Sequence, residues 1–287
     1  MPDIQGENPS IPLDISNVCV QDLRIKLCLM SPNNHLECHM AHISACVDLS
    51  RHFRGIHVSR SVESILITLN NIAYANLLDL QMALKNTAER LLIKHDYSSK
   101  ANLRLKMEHI CIIENNDVPI TIYINVKLHR SGSVKYSISI NIRGMTVCPC
   151  AQQVYAFMED MTVPSVPSHS QRATLHVRID SSKPIDLDLC VFIRYILSSF
   201  STSLRSFLKR DEEYMLIKTA FRNPKFAEDV AREATYKIYK ALREKLSDDA
   251  KIAVKVISYE SIHPFNLRVE INHHVRELDN IFTSSLK

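Results

Sequence analysis

Cys148-Pro149-Cys150 drops a pair of thiols onto a tight loop directly after a strand-like run, and His169-Ser170-Gln171-Arg172 arrives just before the next such run. Sulfur and imidazole donors therefore converge at one sheet edge. A Cys-x-Cys pair is too narrow for a four-cysteine zinc knuckle, which takes wider pairs and a second pair elsewhere. One thiolate acting with a histidine and a carboxylate from distant parts of the chain would instead make an open metal site able to activate water. The plainer reading of each cysteine, a small buried hydrophobe, stands beside this one. His263, in Glu260-Ser261-Ile262-His263-Pro264, sits where a strand turns, free to reach a metal or to remain a surface histidine. Glu213 and Glu228 lie either side of Asn223-Pro224, and Glu228 falls in the first turn of a helix, where the dipole favours a carboxylate for structural reasons alone. Arg54 and Arg60 around His57 offer donor forks suited to phosphate oxygens, or simply a solvated basic turn. Of only four glycines, Gly55 and Gly144 flank these constellations. Neither a phosphate-binding loop nor a dinucleotide fingerprint is present. Thiol redox chemistry is a poor fit, because a Cys148–Cys150 disulfide would be strained and no β-α-β order surrounds it.

The elements that must position these residues follow from periodicity. Leu23 to Leu29 and His42 to Leu49 alternate as strands, and the spacing turns helical from Ser61 to Lys94, enough for two helices. Leu103 to Met107 and Ile120 to Leu128 alternate again, completing a β-β-α-α-β-β order. The order repeats: strands at Ile138 to Ile142 and Ala173 to Ile179, a long helix from about residue 186 to 209, further helix over 212–221, a helix opened by Asn223 as N-cap with Pro224 at its first position, and closing strands at Ile252 to Val256 and Leu267 to Ile271. The expected class is α+β, in tandem units with antiparallel sheets and helices on one face, residues 1–132 and 133–287, the second carrying the metal site. Exposed sheet edges would be covered by symmetric oligomerisation.

Composition narrows the classes further. The chain has 287 residues, 46% of them hydrophobic, enough for a sizeable core. Its 35 basic against 31 acidic residues leave a net charge of +4, too small to argue for nucleic acid or a membrane surface as partner. No secretory leader or membrane span is expected, which points to a cytoplasmic protein. Its eight cysteines follow no disulfide framework, so reduced thiols are expected.

Taken in order, Arg54-Gly55-Ile56-His57-Val58-Ser59-Arg60, Met145-Thr146-Val147-Cys148-Pro149-Cys150, His169-Ser170-Gln171-Arg172, Leu208-Lys209-Arg210 ahead of Glu213, Asn223-Pro224-Lys225-Phe226-Ala227-Glu228 and Glu260-Ser261-Ile262-His263-Pro264 resemble the signature blocks of the GTP cyclohydrolase type IB family. The resemblance spans nearly the whole chain and implies two tandem ββααββ tunnelling-fold (T-fold) units. The spacing between the cysteine loop and the His169 block is more like the archaeal, Fe(II)-dependent branch. It implies one Fe(2+) per subunit, with Zn(2+) or Mn(2+) as alternatives, held by Cys148, His169, Glu213 and His263 directly or through water. Cys150 would lie beside the reacting centre, Glu228 would recognise guanine, and His57, Arg54, Arg60 and Arg172 would meet the ribose or triphosphate. Val58 stands where Met is usual and Ser170 where Asn is usual. GTP is the implied substrate, the archaeal product being 7,8-dihydroneopterin 2',3'-cyclic phosphate for methanopterin. The alternatives are the bacterial-type triphosphate product for folate synthesis, or a non-catalytic purine- or pterin-binding T-fold protein. A homo-oligomer, dimer or tetramer, with active sites at subunit interfaces is implied as well.

Overall fold

The computed structural model describes residues 2–30, 35–70, 72–164 and 166–284. The first half of the chain forms β1 (Ile15–Met30), β2 (Leu36–Leu49), α1 (Val58–Leu69), β3 (Ile72–Tyr74), α2 (Leu77–Lys94), β4 (Lys100–Ile113) and β5 (Asn116–His129). The second forms β6 (Val134–Val147), α3 (Pro149–Met158), β7 (Ser170–Ser181), α4 (Leu189–Leu197), β8 (Thr202–Ser203), α5 (Arg210–Arg222), α6 (Ala227–Leu242), β9 (Lys251–Ser258), β10 (Leu267–His274) and α7 (Val275–Ser284). The alternation is what drives the strands: on β4, Ala101, Leu103, Leu105 and Met107 are buried while Arg104, Lys106 and Glu108 are exposed. On α6, Val230, Ala231, Ala234, Ile238 and Leu242 form the buried stripe, spaced as a helix requires.

The chain forms two compact units. The first comprises Met1–Glu108, Ile122–Ile138 and Asp180–Leu187, with strand order β6-β5-β4-β2-β1-β3 and α1 packed on α2. The second comprises His109–Thr121, Ser139–Ile179 and Asp188–Lys287, with strand order β10-β9-β7-β6-β5-β4, β8 beside β6, and α6 packed on β9, β10 and α4. The expected cut at residue 132 falls in the β5–β6 turn, where Gly132 adopts φ 95°. The units do not part there, because β4, β5 and β6 each contribute a segment to both.

Several local expectations need correction. The helix expected over 186–209 stops at Leu197, and Ser198 to Ser201 lead into β8, which pairs with β6 at Gly144↔Ser203 and Met145↔Thr202. Serine-rich sequence competes for backbone hydrogen bonds, and the fully buried Phe200 lies on Gly144 so closely that a Cβ there would enter its ring. Gly144→Ala is therefore expected to destabilise the fold by about 1–3 kcal/mol, seen as a lower urea midpoint at unchanged slope. Asn223 does not open α6 either; it ends α5, and its Nδ2 donates to Phe200 O (3.2 Å) and Ser201 O (3.3 Å), while Phe226 is the N-cap of α6. Helices α3 and α7 were not expected at all.

The thiols also differ from expectation. Cys19–Cys46 and Cys28–Cys38 are disulfides between directly opposed positions of β1 and β2, and Cys111–Cys190 joins β4 to α4. Pairing across strands depends on register, which cysteine spacing does not reveal. Only Cys148 and Cys150 remain free. No helix among the described residues is long and apolar enough to cross a membrane.

One buried group gives the first unit a pH dependence. His95 is fully buried, with Nε2 2.9 Å from Ser61 Oγ and Nδ1 2.8 Å from Tyr97 Oη. Burial, with Arg60 and His57 adding to it, holds its pKa down to about 4. The folded ring stays neutral while the unfolded one takes a proton below its ordinary value, so stability falls as pH drops from about 6.5 towards 4. The expected loss is on the order of 3 kcal/mol, and urea midpoints of His95→Gln should decline less over that window than those of the unaltered chain.

Candidate active site

Backbone bonds from three directions fix the loop after β6. Val147 N–H donates to Ser201 Oγ (3.1 Å), and Val147 O accepts from Lys225 N–H (3.0 Å), tying the loop to the segment that leads into α6. Cys148 N–H donates to His169 O (3.0 Å), and Cys148 O accepts from Ser168 Oγ (2.6 Å). The Cys148 side chain caps α3: its Sγ accepts from Ala151 N–H at 3.4 Å, with Pro149 at the first helical position, where a missing N–H costs nothing. Cys150, one residue on, is exposed.

His169 is oriented by two partners. Its Nδ1 lies 3.0 Å from Gln171 Oε1 and 3.3 Å from Ser261 Oγ. A proton on Nδ1 would satisfy the Gln171 amide oxygen, and that tautomer leaves the Nε2 lone pair to a ligand. Ser261 belongs to the segment leading to His263, whose ring stacks on Phe265 with centroids 5.0 Å apart. Next to His169, a cavity of about 720 Å³ is lined by Arg143, Met145, Ser170, Gln171, Arg172, Leu204, Tyr259 and Ser261. Arg143 and Tyr259 escaped the sequence reading. Arg143 passes as an ordinary polar residue of an alternating strand, and only strand order brings it to the same cavity as Arg172.

The two carboxylates each sit beside an acid that does the structural work. Glu212 Oε2 accepts from Lys209 N–H (2.8 Å) at the start of α5, and Glu213 makes no side-chain hydrogen bond or ion pair with described residues. Asp229 Oδ2 accepts from Phe226 N–H (3.1 Å) at the start of α6, and half-buried Glu228 likewise makes none. Lys225 and Lys237 brace this helix start, both pairing with Glu233 at 2.5 Å and reaching Ser198 O and Ser198 Oγ. Burial alone would raise the Glu233 carboxyl, but the two lysines bring it below the usual range.

The basic block lies in the first unit, and each member has an intramolecular partner. Arg54 pairs with Glu7 (3.1 Å), His57 Nε2 with Asp3 (3.0 Å), and Arg60 Nη1 donates to Lys94 O (3.0 Å) at the end of α2. His57 Nδ1 is buried without a partner among the described residues.

The profile described as "Type I GTP cyclohydrolase folE2" matches residues 1–268. The chain belongs to this GTP cyclohydrolase family. GTP cyclohydrolase MptA of Aeropyrum pernix is 32% identical, the alignment covering 99% of this chain and 100% of that protein. GTP cyclohydrolase MptA 1 of Methanocella arvoryzae is 25% identical over 94% of this chain and 92% of its own. Among solved structures, uricase from Arthrobacter globiformis has a TM-score of 0.52 at 8% identity, covering 93% of this chain and 96% of that one. That likeness shows the tandem T-fold alone.

For a GTP cyclohydrolase, the donors present suit a divalent metal: a free thiol at Cys148, and at His169 an imidazole whose Nδ1 is held by Gln171 in the manner of a metal ligand's supporting bond. No three of Cys148, His169, Glu213 and His263 bring ligand atoms within 4.8 Å of one another. The backbone unites Cys148 with His169, and Ser261 links His169 to the His263 segment, whereas Glu213 and His263 are not drawn into a closed cluster within one chain.

Proposed function

We propose that this cyclohydrolase opens the five-membered ring of GTP at C8, releases C8 as formate, and forms 7,8-dihydroneopterin 2',3'-cyclic phosphate, with diphosphate as the remaining product. The observation that carries this reading is the pairing of free Cys148 with oriented His169 beside a cavity lined by Arg143 and Arg172. Cys148 and His169 would hold Fe(2+), or Zn(2+) or Mn(2+) in its place, with Glu213 and His263 completing the set at a subunit interface of a homodimer or homotetramer. The bound cation supplies acidified water and charge stabilisation at C8. Gln171 keeps His169 in one tautomer. The exposed Cys150 thiol passes a proton to the purine nitrogen freed when the ring opens. Glu228 accepts hydrogen bonds from guanine N1 and N2. Arg172 takes phosphate oxygens at the cavity, and Arg54, His57 and Arg60 meet the ribose or triphosphate once substrate displaces their present partners. The cytoplasm, where GTP is available, is the proposed compartment, with neither nucleic acid nor membrane as partner.

Anaerobic incubation with Fe(2+) and GTP, following formate and weighing the pterin by mass spectrometry, tests this. Formate with the cyclic phosphate is the expected result. Formate with the triphosphate would transfer the chain to the bacterial-type activity. No formate with Fe(2+), Mn(2+) or Zn(2+) would overturn the catalytic reading in favour of a purine- or pterin-binding protein.

A further inference from the structure

A second set of soft and borderline ligands lies in the second unit, outside the residues assigned above. His109 and Cys111 are alternate residues on the core-facing side of β4, following Leu103, Leu105 and Met107. Cys190 is the second residue of α4, whose N-terminus is capped by Asp188 Oδ1 accepting from Val191 N–H at 3.1 Å. His109 Nε2 lies 3.7 Å from Cys190 Sγ, and the ligand atoms of all three residues lie within 4.8 Å of one another. Cys111 is fully buried and His109 nearly so, with Cys190 half-buried.

We propose that His109, Cys111 and Cys190 form a redox-gated site for a thiophilic divalent cation such as Zn(II), closed by the Cys111–Cys190 disulfide when oxidised and open to the ion when reduced. An imidazole interrupts the apolar stripe of β4 just where it meets the sulfur. Its spacing matches the ion. Zinc bonds of ~2.3 Å to sulfur and ~2.05 Å to nitrogen at a tetrahedral angle place the two ligand atoms ~3.6 Å apart, beside the 3.7 Å observed. Three protein ligands leave one position to water, so the ion would exchange rather than be locked in.

The chemistry balances with a dithiol as reductant. Its thiolate attacks one sulfur of the bridge to give a mixed disulfide, and its second thiol displaces the protein sulfur. The bridge gains two electrons and two protons, and the reductant leaves as its own disulfide. The cation then displaces the two thiol protons to solvent and takes Nε2 of neutral His109. A disulfide oxidant reverses the sequence and expels the ion.

Cobalt(II) is the probe, used on the full chain carrying Cys148→Ser and Cys150→Ser so that those thiols are silent. Before reduction no thiolate-to-cobalt charge-transfer band should appear. After a water-soluble phosphine, which leaves as its oxide, the band should grow to saturation with a single tightly bound ion and vanish on reoxidation with a small disulfide. His109→Ala should weaken cobalt binding at least ~tenfold, and Cys190→Ser should reduce the band's intensity. A reduced protein without the band overturns the proposal. So does a band that neither variant alters, since cobalt would then sit on the cysteines of β1 and β2.

Discussion

Cys148→Ala should lower formate release from GTP by at least ~10³-fold, equivalent to about 4 kcal/mol of transition-state stabilisation, and should reduce bound metal in the same preparation. The structural duty of the Cys148 side chain is a single cap, the 3.4 Å contact from Ala151 N–H to Sγ, whose removal costs about 1 kcal/mol of stability. The bonds that shape the loop, from Cys148 N–H to His169 O and from Ser168 Oγ to Cys148 O, engage only the backbone of Cys148 and persist in alanine. The variant therefore folds with the loop in place and lacks only the sulfur. Cys148→Ser sharpens the test by restoring a capping oxygen without a soft ligand, and should recover stability but not turnover. Formate release at the unaltered rate by Cys148→Ala would remove the thiol from the mechanism.

Much of this architecture is legible in the sequence because long strands carry an uninterrupted alternation. Ala101 to Met107 and Ile252 to Val256 declare both their elements and their buried faces. What escapes is anything set by pairing rather than by period. The Cys19–Cys46 and Cys28–Cys38 bridges exist because β1 and β2 are in one register, and residues 27 and 10 positions apart give no hint of it. Helix α3 escapes for another reason: Val154, Phe157 and Met158 are exposed, so its apolar residues mark no buried stripe, and cysteine is an unusual N-cap. Asn223-Pro224 carries a helix-start signal, but the asparagine amide is engaged by the backbone of Phe200 and Ser201, which a local signal cannot anticipate. At the site, residue types were readable and their supports were not. His169 stands out by itself, but its orientation depends on Gln171 and on Ser261, 92 residues away.

Glu228→Gln should weaken GTP binding by about 100-fold, roughly 3 kcal/mol, with metal content and thermal stability close to those of the unaltered chain. The first turn of a helix favours a carboxylate whatever its task, so helix support alone is the rival explanation. In the structure the helix-start role falls to the neighbouring acid. Asp229 Oδ2 accepts from Phe226 N–H and closes the start of α6, while the Glu228 carboxylate makes no side-chain hydrogen bond with described residues. The segment ahead of this helix is held to the cysteine loop by Lys225 N–H donating to Val147 O at 3.0 Å, so the carboxylate stands on a rigid support. Guanine presents parallel donors at N1 and N2, which a carboxylate meets with an acceptor each. Glutamine offers one acceptor and one amide group that faces a donor, so one charge-assisted bond is lost and two donors are opposed. Asp229→Asn is the complementary variant: it should cost about 1 kcal/mol of stability through the cap and leave GTP affinity nearly unchanged. Equilibrium GTP binding to metal-free protein, where no turnover intervenes, reads both variants. Equal affinity in Glu228→Gln and the unaltered chain would strip Glu228 of the guanine-binding role, and a collapse of stability in Glu228→Gln would return it to the helix.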